Sequence, residues 1–295
     1  MGTKKQSIAL LGGSGPTGEC LLPLLTQAGR RVVAFSRQAR QNVVSGVEWQ
    51  LLSTSRPKHL PHRHNKVKDW ICAAPVWALP DYFRLLEEYG AQRVVALSST
   101  SRFTKCDSYD SAERIIAQRL IAGETQLQEW AEKNDVEWVI LRPTLIYGRG
   151  RDKNIAEIAR FVHRFGFFPL LGKADGLRQP IHVEDVATAC FTALTTPNAA
   201  NHAYNLSGGE TLPYREMVRR IFAALHQQPR MVPIPLTVFK SALACLRLLP
   251  GHRSWSVGMA VRMNQDMVFD HSDAAHDLGF SPRPFRLTPQ DVPDG

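Results

Sequence analysis

Ile8-Ala9-Leu10-Leu11-Gly12-Gly13-Ser14-Gly15-Pro16-Thr17-Gly18 decides the fold, together with the segment Cys20–Leu25 that follows it. A short apolar run ends in glycines at 12, 15 and 18 and opens into apolar-periodic sequence, the pattern of a strand, a tight turn and a helix start. Each glycine answers a separate need. Gly12 permits the turn out of the strand, Gly15 lets backbone N–H groups approach a pyrophosphate with no Cβ in the way, and Gly18 allows close packing of the helix. The helix N-terminus adds free N–H groups and about half a positive charge, so the stretch predicts a cradle for the phosphates of a dinucleotide.

The 295 residues, 44% of them hydrophobic, suit one large domain or two modest lobes and exclude disordered and fibrous classes. Cys20, Cys72, Cys106, Cys190 and Cys245 are odd in number and form no C-x-x-C pair, which suggests neither a disulfide framework nor a structural zinc site; no metal is expected and a reducing cytoplasm fits. Lys4 and Lys5 before Ile8–Leu11 imitate a secretory signal, but the apolar run is too short and enters the glycine turn directly. No run reaches the roughly 18 apolar residues of a membrane span. The net charge of +9 points to an anionic partner. The densest basic run, Arg56 to Lys68, has no interleaved aromatics or regular ligand spacing; it reads as a solvated loop, and no nucleic acid is expected.

Further strands are predicted at Arg31–Phe35, Val47–Leu52, Trp70–Ala74, Val94–Leu97 and Val136–Leu141, with helices at Pro80–Tyr89 and from Ser111 to Lys133. In the long helix Ile116, Leu120, Leu127 and Ala131 share a face, and Asp110 with Glu113 makes a capping box. Short β-rich runs alternating with helices specify an α/β fold with a Rossmann-type, doubly wound parallel sheet, whose ligands sit beyond the carboxyl ends of the strands. From Gly148 to Gly176 the chain reads as loops rich in Gly, Arg and Phe. Helices are expected after Ile181-His182-Val183, at Tyr214–His226, at Leu236–Leu249 (amphipathic, broken by Lys240 and Arg247) and at Asp273–Gly279. The division expected is a dinucleotide lobe of residues 1–147 plus 181–210 and a smaller, interlaced substrate lobe of 148–180 plus 211–295.

The joint order of several motifs resembles the extended or atypical short-chain dehydrogenase/reductase superfamily, the NAD(P)-dependent epimerase/dehydratase group. They are Gly12-x-x-Gly15-x-x-Gly18, Leu97-Ser98-Ser99-Thr100-Ser101, Leu141-Arg142-Pro143 with Tyr147-Gly148, Ile181-His182-Val183-Glu184-Asp185-Val186, Asn205-Leu206-Ser207-Gly208-Gly209 and Leu278-Gly279-Phe280-x-Pro282. The resemblance implies that Gly12, Ser14, Gly15, Pro16, Thr17 and Gly18 surround the pyrophosphate. It puts Ala73, Ala74 and Pro75 on the adenine-ribose side and Pro143 and Thr144 near the nicotinamide. Ser99, with Thr100 beside it, matches the family's catalytic Ser/Thr; the alternative is turn chemistry at a strand end. His182 and Asp185 match a lobe-junction motif in which the Asp caps a helix.

The second strand bears on the cofactor. An acid there would hydrogen-bond the 2′-hydroxyl of NAD, whereas Ser36, Arg37 and Arg40 suit the 2′-phosphate of NADP, with NAD as the alternative. The family's chemistry uses a Tyr with a Lys four residues later, the cation letting a phenol of pKa about 10 work near neutral pH. Aligned without gaps through Glu124 and Leu141-Arg142-Pro143, those positions hold Ile116 and Leu120; Tyr109 is the nearby phenol and is kept as a proton donor. Arg178 and Arg262 are candidates for an anionic substrate such as a sugar nucleotide, and His163 and Arg164 either line the cleft or belong to an amphipathic helix.

Two functions follow. One is an NADP-dependent reductase or epimerase with an atypical active site; the other is a cofactor-binding protein without turnover, resembling the nucleotide-binding accessory subunit of respiratory complex I. The sequence leaves substrate, reaction direction and oligomeric state open.

Overall fold

The computed structural model describes residues 7–40, 44–52, 66–108, 110–238 and 257–293, the side chains of 257–260 excepted. Lys4, Lys5, most of the basic run, Tyr109, Cys245 and residues 239–249 of the apolar segment lie outside the described residues.

Along the chain run β1 (Ser7–Leu11), α1 (Pro16–Gln27), β2 (Arg31–Ser36), β3 (Val47–Leu51), β4 (Asp69–Pro75), a 3-10 segment (Val76–Tyr82), α2 (Phe83–Tyr89), β5 (Arg93–Leu97), α3 (Ser101–Thr104), α4 (Ser111–Lys133) and β6 (Glu137–Pro143). Next come β7 (Ile146–Tyr147), α5 (Ile155–Phe165), β8 (Phe168–Leu171), β9 (Leu177–Arg178), β10 (Ile181–His182), α6 (Val183–Thr195) and β11 (His202–Leu206). The remainder comprises β12 (Leu212–Pro213), α7 (Tyr214–Ala224), β13 (Met231–Ile234) and the helices Val257–Asn264 and Ser272–Leu278.

Seven strands form one sheet in the order β11-β6-β5-β4-β1-β2-β3, every pair parallel. The order reverses between β1 and β4, which opens a crevice at the carboxyl ends of the strands, the switch point of a Rossmann-type sheet. Both faces are covered, so the central strands β1, β2, β4, β5 and β6 carry apolar runs rather than an alternating pattern. Leu10, Ile71, Val95 and Val139 meet α1 and α6 on one face; Ala9, Trp70, Val94 and Ile140 meet the 3-10 segment, α2 and α4 on the other. Buried Arg93 on β5 is tolerated because Glu137 pairs with it at 2.8 Å and the Ala193 carbonyl accepts from it at 2.9 Å.

A third core, centred on Ile158, Val162, Leu171, Met217 and Phe222, holds the smaller lobe together. The stretch expected as loops from 148 to 176 contains α5 and β8. In α5 Ile155, Ile158, Ala159 and Val162 are buried at helical spacing, a period masked in the sequence by the surrounding Gly, Arg and Phe. The helix Ser272–Leu278, assigned by sequence to the second lobe, packs Ala274 and Leu278 on the first sheet face. Among the described residues no helix is long and apolar enough to cross a membrane.

Candidate functional site

The glycine turn stands at the crevice. Gly12 has a φ of +80°, and a Cβ there would lie 2.5 Å from the Ala74 backbone nitrogen. This crowding follows from β4, whose register with β5 shifts between Cys72 and Pro75 and which brings Ala73 and Ala74 against the turn. A Cβ on Gly18 would come within 2.3 Å of the Gly12 carbonyl, so this glycine closes the turn on itself as much as it packs the helix. Gly15 differs: the nearest atom to its Cβ position is the Gly12 oxygen at 3.5 Å, leaving that face open. Helix α1 begins after Gly15 with Pro16 in its first turn and no side-chain cap. An open glycine face beside an uncapped helix N-terminus is a donor set that fits a dinucleotide's phosphates.

Beside the turn, β2 ends in buried Ser36, whose Oγ accepts from the Gln38 N–H at 3.1 Å, followed by exposed Arg37. Arg40 is also exposed, with its guanidinium 5.5 Å from the centre of the Trp49 ring.

From this crevice a cleft of about 890 Å³ runs into the smaller lobe. Pro16, Thr17, Ser99, Thr100 and Thr144 line it from the sheet side, and Phe161, Arg178, Tyr214, Arg262 and Met263 from the other. The Ser99 hydroxyl accepts from the Ser101 N–H at 3.1 Å, which leaves its own proton free to point into the cleft. Thr100 is buried and ties β5 to β6, its hydroxyl donating to the Pro143 carbonyl at 3.3 Å. Thr144 donates its hydroxyl to the Gln179 carbonyl.

Two ionic clusters hang from α4. Glu124, 2% exposed, accepts from the Ser98 hydroxyl, from Arg102 and from Arg142, the last with Nη2 at 2.6 Å. This closed cluster fixes the end of β5 behind Ser99. At the start of α4, Glu113 accepts from Arg262 and from the Ser108 hydroxyl at 2.7 Å, and lies 3.8 Å from the Lys105 ammonium. The expected capping box is therefore only half formed: Asp110 accepts from the Ala112 N–H at 2.9 Å, but Glu113 turns to Arg262, and the Asp110 N–H donates to Ser108 instead. Lys105 and Arg262 both line the cleft.

Arg178 is 4% exposed, and its guanidinium donates to the backbone carbonyls of Leu177, Gln265 and Arg262 while lying 5.4 Å from the Tyr214 ring centre. Three of its N–H groups thus hold the wall of the cleft in place. Burial pushes the Tyr214 phenol up. Ile116 packs against, and Leu120 lies within, the apolar cluster under the 3-10 segment. His163 and Arg164 are exposed, and neither lines the cleft. Asp185 does not cap α6: His182 does, its Nδ1 accepting from the Glu184 N–H at 3.3 Å, while Asp185 pairs with Arg283. The His182 Nε2 sits 3.1 Å from Asp291, pinning the C-terminal segment to the lobe junction.

Sequence reasoning named Ser99, Thr100, Tyr109, Arg178 and Arg262 and passed over Lys105, Asp152 and the ionic role of Glu124. The one signal for Lys105 was its place just past the Ser99 strand end. Asp152 lines the cleft and accepts from the Asn154 and Ala156 N–H groups at 2.8 and 3.2 Å, work that holds the start of α5.

Residues 81–207 match the model of the NAD dependent epimerase/dehydratase family. UDP-glucose 4-epimerase of Vibrio cholerae is 30% identical over 118 residues, covering 40% of this chain and 36% of that protein. The mitochondrial NADH dehydrogenase (ubiquinone) 1 alpha subcomplex subunit 9 of Arabidopsis thaliana is 28% identical over 138 residues, 46% of this chain and 33% of the subunit. The match thus spans only about a third of the length of either relative. Among solved structures, UDP-glucuronic acid 4-epimerase from Bacillus cereus in complex with NAD superposes with a TM-score of 0.68 over 97% of this chain and 95% of that one, at 12% identity. The motifs, the sheet order and the match over residues 81–207 agree on a Rossmann-type fold similar to that of the NAD dependent epimerase/dehydratase family.

Proposed function

We propose that the chain is an NADP-dependent oxidoreductase that reduces, reversibly, the carbonyl of a small anionic substrate of the sugar-nucleotide kind. The observation that carries this reading is the single cleft that joins Pro16 and Thr17 of the glycine turn to Ser99 and to the cations Lys105 and Arg262. Gly12, Ser14, Gly15, Pro16, Thr17 and Gly18 would hold the pyrophosphate, Ala73, Ala74 and Pro75 the adenine-ribose side, and Pro143 with Thr144 the nicotinamide end. Exposed Arg37 and Arg40 favour the 2′-phosphate of NADP over the 2′-hydroxyl of NAD. When bound, the nicotinamide supplies or accepts a hydride. Ser99 would orient the substrate oxygen, and Arg262, with Arg178 behind it, would attract an anionic group. Four free cysteines among the described residues, three of them buried, suit a reducing cytoplasm.

The test is to mix the protein with NADPH and carbonyl or sugar-nucleotide substrates and follow nicotinamide absorbance and isotope exchange at the transferred hydrogen. Exchange with an anionic substrate supports the reading; tight NADPH binding without exchange removes it. A second reading, a cofactor-binding protein without turnover, is favoured by apolar Ile116 and Leu120 and by the likeness to the Arabidopsis NADH dehydrogenase subunit.

A further inference from the structure

Reduction of a carbonyl leaves an electron pair on oxygen that must meet a proton. Among the described residues the phenol lining the cleft is Tyr214, its ring centre 5.4 Å from the Arg178 guanidinium, and the α4 positions 116 and 120 are apolar. Lys105 is different from both. It follows α3 directly, lines the cleft with Ser99, Ser101 and Thr104, and keeps 22% of its side chain exposed.

We infer that Lys105 is the proton donor of this cleft, passing its Nζ proton to the oxygen of a carbonyl held between Ser99 and Arg262. The inference rests on the reductase reading above. In the balanced step, a C–H bond forms at the carbonyl carbon with the hydride of NADPH, and the C=O π bond breaks onto oxygen. An O–H bond forms as an Nζ–H bond of Lys105 breaks. The carbonyl is reduced, the nicotinamide is oxidised, and the neutral amine recovers a proton from solvent at the cleft mouth.

The surroundings suit an ammonium that releases its proton readily. Burial and the nearby Arg262 guanidinium push the Lys105 amine below its ordinary value, against the opposing pull of Asp110. Among the described residues Glu113 is the carboxylate within ion-pair reach, its two oxygens shared with Arg262 and Ser108, and it restrains Lys105 in place. Asp152, Lys153, Glu157 and Arg178 are the other charged groups lining the cleft. A lowered amine gives up its proton more readily than a solvent lysine, the direction acid catalysis needs.

Two measurements test the inference, one of which needs no turnover. Competitive acetylation with trace acetic anhydride across pH, read residue by residue by mass spectrometry, is expected to show Lys105 titrating below exposed Lys133 and Lys153. Titration together with them overturns the inference, whether or not the enzyme is active. The kinetic arm uses NADPH with ethyl acetoacetate and with keto-sugar nucleotides as carbonyl probes. Lys105→Met is expected to lower turnover about 100-fold or more, with the NADPH dissociation constant within about twofold of wild type. In the wild type, turnover falls as pH rises through the Lys105 titration, because the protonated amine is the active form. Lys105→Arg keeps the charge but moves that limb beyond the measurable range, which a merely structural lysine would not do. An unchanged limb in Lys105→Arg, or full turnover in Lys105→Met, overturns the inference. Failure of NADPH to bind the wild type instead defeats the cofactor reading on which it rests.

Discussion

Glu124 and Glu113 stand about three turns apart on one helix, each gripped by arginine and a serine hydroxyl, yet they sit in opposite kinds of place. Glu124 is enclosed by Ser98, Arg102 and Arg142 behind the sheet end, whereas Glu113, also buried, holds Arg262 and lies near Lys105, two cations that line the cleft. The residue types are nearly the same. The difference lies in whether the charges have been withdrawn from the space a ligand can enter: the closed cluster shapes the backbone that carries Ser99, and the open one leaves a cation for chemistry.

The largest effect expected from this contrast is on stability. Glu124→Ala leaves two half-buried guanidinium groups facing each other without their carboxylate, and should cost about 3–5 kcal/mol in urea unfolding. A loss under about 1 kcal/mol would place Glu124 with ordinary surface pairs and break the comparison. The crevice repeats the contrast on a smaller scale, with Ser36 closed by Gln38 and Arg37 open. Arg37→Asp should weaken NADP binding by roughly 10- to 100-fold with little change in melting temperature; a wild type that prefers NAD sinks the assignment.

Asp291 tests a second closed pair. Burial pushes its carboxyl up, but His182 and the Thr288 hydrogen bonds outweigh it and hold the group down at about 2. Its folded pKa is thus below the unfolded value of about 3.9, so its contribution is present above pH 4 and disappears as pH falls toward 2. The melting-temperature gap between wild type and Asp291→Asn should close over that window, and a constant gap would refute the pairing.

The smallest stability effect is expected at Lys105. Its folded pKa lies below the unfolded value of about 10.4, so wild-type stability rises with pH between the two, where only the unfolded chain keeps the proton. Lys105→Met should remove that slope and change stability at neutral pH by no more than about 1 kcal/mol. Together with loss of turnover, this would mark the open cluster as functional and the closed one as structural; strong destabilisation would merge the two.

Much of the architecture was legible because it rests on local periodicity and turn chemistry. The bounds of α4, the β1 turn and the alternation of strand and helix all follow from neighbours in sequence. The loops expected between 148 and 176 failed because α5 gains its order from packing Ile158 and Val162 on a distant helix, α7. The half-formed capping box failed for a related reason: Glu113 reaches a better partner, Arg262, contributed from 149 residues along the chain.

By itself, then, the sequence determined the parallel sheet, the glycine cradle and the apolar character of positions 116 and 120, since each is set by residue type at short spacing. Only the tertiary structure decided which charges are enclosed and which are open. That is so because burial and pairing arise when α4, the end of β5 and the helix Val257–Asn264 converge on one cleft, bringing Lys105, Glu113 and Arg262 together.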